Sequence, residues 1–280
     1  MFATLLALSA LTLDQKEKLN DPSQWQSIDD RFVFWKSIHG RDFSETEHVR
    51  RLELFSRTAK HVDMRNAQFE SGAITWKSGI NRFATDSPKE RAYRNGFQKS
   101  KTKRAAPILN HVAAPPPPPD EVDWTEGCEW DRKQSFGTHK ANGKCAVTGV
   151  KDQGQCGSCW IFSTTGAIEG AAAIQAAINN TNPPKVFSEG EILDCSFNET
   201  NPDLSGCDGG DMKAAYSWVV GNNGLNSEHN YPYSDFLDRC DWQQKRVGVV
   251  KITGFTSVAM SGPAMIAALA QQPVSIAIDA

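Results

Sequence analysis

Five consecutive prolines, Pro115–Pro119, divide this 280-residue chain into two parts of different composition. A run of this kind forms an extended polyproline II spacer that has no packing of its own. All seven cysteines lie after residue 127, so the part before the prolines contains none. The length is that of two modest folding units.

The cysteine count predicts an oxidising environment. Six of the seven cysteines can pair, which leaves one thiol that is a candidate reactive group. Two glycosylation sequons, at Asn179 and Asn198, fit a secretory route.

The N-terminus points the same way. Residues 2–13 are mostly apolar and Asp14 ends the run, so residues 1–13 are expected to form a signal peptide, the alternative being a buried N-terminal helix. No apolar run reaches the length of a transmembrane helix. The net charge of −3 gives no indication of a nucleic-acid partner.

Residues 22–69 have a helical pattern, with Phe32 and Trp35 at three-residue spacing. Ser44 is predicted to cap a second helix by accepting from the backbone N–H of Glu47, whose side chain would reach back. Glu47 and Arg51 are an i, i+4 ion pair in the favourable order. Apolar residues then follow along one helix face at Leu52, Phe55, Ala59 and Val62. These features predict a two-helix hairpin.

The spacing in the second helix is more specific. It resembles the interrupted Glu-Arg-Phe-Asn-Ile-Asn pattern of cathepsin L-like propeptides, at Glu47, Arg51, Phe55, Thr58, Val62 and Asn66. Thr58 replaces the usual Asn, and Val62 replaces Ile. Downstream, the Gly-Asn-Phe-Asp motif of the same propeptides is matched by Gly79, Asn81, Phe83 and Asp86. The resemblance implies that residues 22–98 are an inhibitory prodomain that runs through the cleft in the non-productive direction.

Residues 99–119 are predicted to be a linker. Its first part, Lys99–Arg104, is basic and lacks core residues, so it is a candidate site of proteolytic cleavage as well as a solvated spacer. Residues 120–280 would then be the peptidase domain.

The segment "QGQCGSCWIF" at residues 153–162 carries the chemistry. Gly154 and Gly157 supply permissive backbone, and the apolar residues that follow predict a long, largely buried helix. Cys159 would therefore lie at a helix N-terminus, where unpaired N–H groups and the helix dipole stabilise a thiolate. The thiolate is the nucleophilic form of cysteine.

The Cys156-x-x-Cys159 pair has two other interpretations. It could be a redox dithiol or half of a zinc site. A zinc site needs a second close pair, and the later cysteines are single. A thioredoxin-type site needs a preceding βα pattern, which this glycine-rich entry does not have.

The run "CGSCW" resembles the signature of papain and the cathepsins. By position, Cys159 resembles the catalytic nucleophile, and Gln153 resembles the side chain that forms the oxyanion hole with the Cys159 backbone N–H. Ile161 replaces a smaller residue. The resemblance implies an α+β papain-like two-domain fold, with the helical domain largely present and the β-rich domain mostly missing.

Further matches follow in family order. The run Ser188–Ser196 resembles Ser-Glu-Gln-x-Leu-x-Asp-Cys, and Gly206–Gly210 resembles the loop that holds an extended substrate, with Gly209 and Gly210 in contact with it. The family disulfides carry over as Cys156–Cys207 and Cys195–Cys240. Cys128 and Cys145 remain as an extra pair, and Cys159 stays free.

One departure from the family pattern and one pocket remain to be described. Residues 125–145 are an insertion, expected to be a surface loop closed by the Cys128–Cys145 bond, the alternative being a gene-model artefact. Met212 and Ala277 match positions that line the pocket for the second residue before the scissile bond. Both are apolar, which indicates a large hydrophobic or aromatic side chain there.

The catalytic histidine and asparagine have no match. His229 is the single histidine after Cys159, and its turn-like context predicts a solvated position. His139 lies in the insertion, and the other four histidines precede the prolines. Val274, Ile276 and Ile278 alternate as in a strand, which predicts the start of the β-rich domain. The chain is therefore expected to be a fragment or truncated gene product of a cysteine endopeptidase zymogen.

An alternative of a different class is a catalytically inactive inhibitor or binding protein. It would keep the prodomain and bind related proteases without cleaving. In either case a secreted or lysosomal monomer is expected, with peptide substrates, no cofactor or metal, and no nucleic-acid or membrane partner.

Overall fold

Helices supply most of the regular structure in the computed structural model, which describes residues 12–100, 108–109, 121–125, 128–130, 137–139, 145–178, 186–199, 203–243 and 249–278. The chain divides into two units, Met1–Ala92 and Tyr93–Ala280. The predicted signal peptide falls almost wholly outside the described residues, as does the proline run. No described helix has the length and apolarity needed to cross a bilayer.

The first unit is helical. Its elements are α1 (Leu13–Asn20), a 3-10 turn (Pro22–Gln24), α2 (Ile28–Ile38), α3 (Glu45–Glu70) and the start of α4 (Pro88–Arg94). Ser27 caps α2 by accepting from the backbone N–H of Asp30. Ser44 caps α3 by accepting from the N–H of Glu47, as predicted. The predicted return arm is not made, because the Glu47 carboxylate binds Arg51 instead, at 2.6 Å.

Aromatic rings fill the core of the first unit. Phe32 and Trp35 from α2 and Phe55 from α3 are fully buried and pack against one another, with ring centroids 5.3–5.8 Å apart. Leu19, Ala59, Val62, Ile80 and Ala84 complete this cluster. The predicted hairpin is therefore held by its apolar faces.

One face of α3 also binds the segment that follows it. Asn66 exchanges two hydrogen bonds with the Ser78 backbone, and the Thr58 hydroxyl donates to the Ala84 carbonyl at 2.8 Å. Arg51 donates to the Thr85 carbonyl at 2.8 Å and pairs with Glu90. The hydrogen bonds from Arg51 hold the pKa of Glu90 down at about 2. The spacing of Arg51, Thr58 and Asn66 along α3 thus places their polar groups on one face of the helix, and that face binds residues 78–90.

The second unit contains the other helices: the end of α4, α5 (Cys159–Ile178), α6 (Glu189–Ser196), a 3-10 turn (Gly206–Asp208), α7 (Met212–Gly221) and α8 (Gly262–Leu269). The long helix predicted after the glycine-rich loop is α5. The core of the second unit includes Trp160 and Ile161 from α5, Ile192 and Leu193 from α6, and Val219 from α7.

Strands in the described residues are short. Strand β1 (Ile108–Leu109) pairs in parallel with β4 (Ser257–Val258), and β2 (Cys128–Trp130) pairs with β3 (Gly137–His139) as an antiparallel ribbon inside the insertion. The strand predicted from Val274, Ile276 and Ile278 is not formed. That segment pairs with no neighbour among the described residues, and Ile276 and Ile278 are exposed. Alternation alone does not make a strand without a partner for its backbone.

Three disulfides cross-link the second unit: Cys128–Cys145, Cys156–Cys207 and Cys195–Cys240. The last two are the pairings implied by the family resemblance, and the first is the extra pair predicted from the two cysteines that remained. Cys159 is the free cysteine.

The aromatic core of the first unit gives a stability prediction. Replacement of Phe55 by Ala should lower the free energy of unfolding by about 3–5 kcal/mol, because a fully buried ring leaves a cavity. Urea denaturation of the full chain, followed by tryptophan fluorescence, measures the change. Val49→Ala on the same helix is the control, since Val49 is exposed and its loss should cost about 0.5 kcal/mol or less. Equal midpoints for the two variants would contradict this core assignment.

Candidate active site

The free thiol of Cys159 lies at the first residue of α5. The carbonyl of the preceding residue, Ser158, accepts from the N–H groups of Ile161 and Phe162 and closes the first turn. The side chain of Cys159 is partly exposed. The predicted position of Cys159 at a helix N-terminus is confirmed, and orphan N–H groups at this end of a helix favour a negative sulfur.

The Gln153 amide lies on the loop that leads into α5. Its Nε2 donates to two carbonyl oxygens, that of Cys156 at 2.7 Å and that of Arg94 at 3.0 Å. Gly154 has φ of +63°, a left-handed conformation that glycine adopts without strain, and turns the loop. The amide is therefore already bound to a peptide carbonyl in this structure, which is what an oxyanion donor must be able to do.

The carbonyl of Arg94 belongs to a segment, Tyr93–Ser100, that begins with the last two residues of α4 and lies within the second unit. Around Phe97 this segment pairs in parallel with Gly210: the Gly210 N–H donates to the Gly96 carbonyl, and the Gln98 N–H donates to the Gly210 carbonyl, each at 2.8 Å. The Gln98 side chain donates to the Asp208 carbonyl at 2.6 Å. Gly209 and Gly210, predicted to hold an extended chain, thus lie against one.

Two glycines permit this close approach. A Cβ on Gly96 would lie 1.6 Å from the Gly157 carbonyl oxygen, and one on Gly210 would lie 2.7 Å from the Trp160 ring. Neither position has room for a side chain, because the obstructing atoms are backbone or a buried ring. The segment and the nucleophile loop are therefore in direct backbone contact.

The end of the segment binds two buried carboxylates. The Ser100 N–H donates to Asp211 Oδ2 at 2.9 Å, and its hydroxyl donates to Asp203 Oδ2. Asp211 also caps α7 by accepting from the N–H of Lys213. Sequence reasoning singled out neither carboxylate, because both become neighbours of Ser100 only through the fold.

A buried ion cluster supports the Gln153 loop. Lys151 Nζ lies 2.6 Å from Glu169 on α5 and 2.6 Å from Glu189 on α6. Burial by itself would lower the pKa of Lys151, but the Glu189 and Glu169 carboxylates raise it overall. The sequence signal was a lysine two residues before Gln153, but its partners lie 18 and 38 residues along the chain. The interpretation of the loop therefore missed them.

Two more residues behind the loop were not predicted as site residues. The Tyr233 hydroxyl donates to the Gln153 carbonyl at 2.8 Å. The backbone N–H of Tyr233 donates to Glu228 Oε1 at 2.8 Å, while Glu228 Oε2 is buried without a hydrogen-bond partner. Burial raises the pKa of Glu228 to about 7, and the Glu189 and Glu169 carboxylates add to the rise against the opposing charge of Lys151.

The structure also gives the exposure of the residues predicted to line the substrate pocket and of the sequons. Met212 is half-buried and packs on the core, whereas Ala277 is exposed. The segment bearing Ala277 is anchored by Ser275, whose hydroxyl donates to the Ser163 carbonyl at 2.6 Å. Of the two sequons, Asn198 is exposed and Asn179 lies outside the described residues.

No base is found beside the thiol in the described part of the chain. His229 is exposed on a turn, as predicted, and Cys159 accepts no hydrogen bond from a histidine there. The side chain of His139 lies outside the described residues. Across the described ranges no group of three or more His, Cys, Asp or Glu side chains is arranged to hold a metal ion.

Comparison with known proteins shows the family to which the chain is related. A family model described as papain family cysteine protease matches residues 133–280. The chain is 31% identical over 265 residues to a cathepsin L-like proteinase of Fasciola hepatica, covering 90% of this chain and 70% of that protein. It is 33% identical over 288 residues to vignain of Ricinus communis, covering 99% of this chain and 70% of that protein.

Among solved structures, digestive procathepsin L 3 of the Tenebrio molitor larval midgut matches with a TM-score of 0.66 and 29% identity, over 88% of this chain and 71% of that one.

The contact at Gly96 predicts how access to the thiol changes. Gly96→Ala should displace the segment, because its Cβ cannot fit against Gly157, and alkylation of Cys159 by iodoacetamide should become about tenfold faster through loss of two or more hydrogen bonds. Mass spectrometry of the single free thiol measures the rate. Gly221→Ala, where a Cβ meets nothing, should leave the rate unchanged. Equal rates in both variants would show that the segment does not restrict Cys159.

Glu228 predicts a pH dependence of stability. Its pKa in the folded chain, about 7, lies above the ordinary value of 4.5, so the folded state holds this proton more tightly than the unfolded state. The stabilisation is complete below pH 4.5 and is lost as the pH rises to about 7. Glu228→Gln, which stays neutral, should therefore gain thermal stability relative to the wild type as the pH increases from 5 to 8. A difference in Tm that does not change with pH would refute this role.

Proposed function

Because the chain belongs to the papain family of cysteine proteases, we propose that it is a cathepsin L-like endopeptidase zymogen whose nucleophile is Cys159. The observation that carries the proposal is the pairing of two features. One free thiol lies at the start of α5, and the Gln153 amide in the adjoining loop binds the carbonyl of Arg94, the last residue of α4.

The chemistry follows from these groups. The Cys159 thiolate forms a bond to the carbonyl carbon of the substrate, and the electron pair of the carbonyl moves to oxygen. Gln153 Nε2 and the Cys159 N–H donate to that oxygen. Collapse of the tetrahedral intermediate releases the amine, which needs a proton from a histidine, and water then hydrolyses the thioester.

The segment Tyr93–Ser100 acts as the intramolecular inhibitor. Its Arg94 carbonyl accepts from Gln153, and the residues that follow, Gly96 and Gln98, bind Gly210. The family resemblance implies that an extended substrate contacts Gly209 and Gly210 and that the prodomain passes them in the non-productive direction. The segment therefore runs opposite to a substrate, which is why it occupies the cleft without being cleaved.

Substrate preference rests on Met212 and Ala277. Both are apolar and would line the pocket for the residue before the one at the scissile carbonyl, so a large hydrophobic or aromatic side chain is favoured there. Three disulfides and the exposed sequon at Asn198 support a secreted or lysosomal location for a glycosylated monomer. The reaction needs no metal or cofactor.

Among the described residues no base lies beside the Cys159 thiol. His229, the one histidine after Cys159, is exposed on a turn. The alternative function, an inhibitor or binding protein that does not cleave, is favoured by the same observation. Addition of the intact chain to a papain-family protease separates the two, since an inhibitor reduces turnover by the added enzyme and stays uncleaved.

The test is a pair of measurements on the 280-residue chain. Iodoacetamide should label Cys159, yet a Phe-Arg fluorogenic peptide should not be turned over above the level of Cys159→Ala, even after acid treatment, because no described histidine lies beside the thiol to protonate the leaving amine. Turnover that disappears in Cys159→Ala would overturn the assignment of a missing base. Absence of labelling at Cys159 would overturn the assignment of Cys159 as the nucleophile.

A further inference from the structure

The hydroxyl of Tyr233 lies between the two ends of the loop Gln153–Ser158, which leads into α5. Its oxygen is 2.8 Å from the Gln153 carbonyl and 2.7 Å from Ser158 Oγ. A carbonyl only accepts, so the tyrosine proton is directed to Gln153. The Ser158 hydroxyl must then donate to the tyrosine oxygen. One atom thus joins the residue that carries the oxyanion amide to the residue directly before the nucleophile.

This link is separate from the other restraint on the loop. The Cys156–Cys207 disulfide fixes the middle of the loop, and Tyr233 fixes its two ends relative to each other. Ser158 is fully buried, so its hydroxyl depends on Tyr233 for a partner from a distant part of the chain.

The ring of Tyr233 is itself held in place. It packs edge-on against Phe162 on the first turn of α5, with centroids 4.9 Å apart, and its backbone N–H is bound by Glu228. Burial raises the pKa of Tyr233, so the hydroxyl keeps its proton and remains a donor. The arrangement is therefore a rigid support rather than a mobile contact.

We propose that Tyr233 is a positioning residue that holds the Gln153 amide in register with the Cys159 sulfur. This inference rests on the proposed function. Oxyanion stabilisation requires donors placed within about 0.5 Å of the productive geometry, and loss of a whole donor costs about 100-fold or more. Displacement of Gln153 by loss of its tether should cost less, about tenfold.

Two reagents distinguish a change in the position of the Gln153 amide from a change in access to the Cys159 sulfur. Iodoacetamide alkylates sulfur without forming an oxyanion, so its rate reports access and thiolate reactivity. A dipeptide aldehyde forms a sulfur–carbon bond while the carbonyl pair moves to oxygen, so its affinity also needs the oxyanion donors. The aldehyde concentration that halves the alkylation rate of Cys159 gives that affinity in the full chain. Access by displacement of Tyr93–Ser100 affects both quantities equally and cancels in their ratio.

The expected result is a loss specific to the aldehyde. Tyr233→Phe, which keeps the ring but frees the Gln153 carbonyl, should lower the ratio of aldehyde affinity to alkylation rate about tenfold. Tyr231→Phe is the matched control, because it also removes a buried hydroxyl with two hydrogen bonds, to Asp194 and from Asp241, and should leave the ratio unchanged.

The double variant Ser158→Ala with Tyr233→Phe tests a purely structural role. It removes the buried hydroxyl left unpaired in Tyr233→Phe, and so restores stability without restoring the tether. A ratio that stays low in the double variant supports positioning. An unchanged ratio in Tyr233→Phe, or full recovery in the double variant, overturns it. If the wild type shows neither alkylation of Cys159 nor aldehyde protection, the proposed function fails first and this inference with it.

Discussion

The ammonium of Lys151, enclosed between the carboxylates of Glu169 and Glu189, is the interaction on which the site depends. Lys151 lies on the loop before Gln153, and the two carboxylates lie on α5 and α6. The cluster therefore fastens the loop to the helix that begins at Cys159. Removal of one member of a buried ion cluster leaves an uncompensated charge. Loss of any of the three side chains should therefore destabilise the whole cluster. Tight packing between loop and helices follows from this charge constraint.

Local patterns gave the helices and the caps. The spacing of Phe32 and Trp35 predicted α2, the glycine-rich entry and apolar run predicted α5 with Cys159 at its start, and Ser44 predicted the beginning of α3. These features depend on neighbours in the sequence, so the sequence is enough to find them. Two of the disulfide pairings came from the family resemblance, since counting cysteines leaves several connectivities open, and Cys128–Cys145 followed from the two cysteines that remained.

The misses share a physical cause, which is dependence on distant partners. The alternation of Val274, Ile276 and Ile278 has the period of a strand, but a strand also needs a neighbour for its backbone, and none is present among the described residues. The return arm from Glu47 is an exception with a local cause, because its carboxylate pairs with Arg51 four residues along α3. Tyr233, Glu228, Asp203 and Asp211 acquire their roles through contacts that no local pattern encodes.

The segment Tyr93–Ser100 is bound through both its backbone and its side chains. The Arg94 and Gly96 carbonyls and the Gln98 N–H make backbone hydrogen bonds, and Gly96 contributes by having no side chain. The side chains of Arg94, Gln98 and Ser100 add hydrogen bonds to Gln155, Asp208 and Asp203. The backbone hydrogen bonds require that Gln153 and Gly210 are already in place. Binding of the segment and assembly of the loop are therefore coupled, because the Arg94 and Gly96 carbonyls meet their donors only when Gln153 and Gly210 have reached the positions that they occupy here.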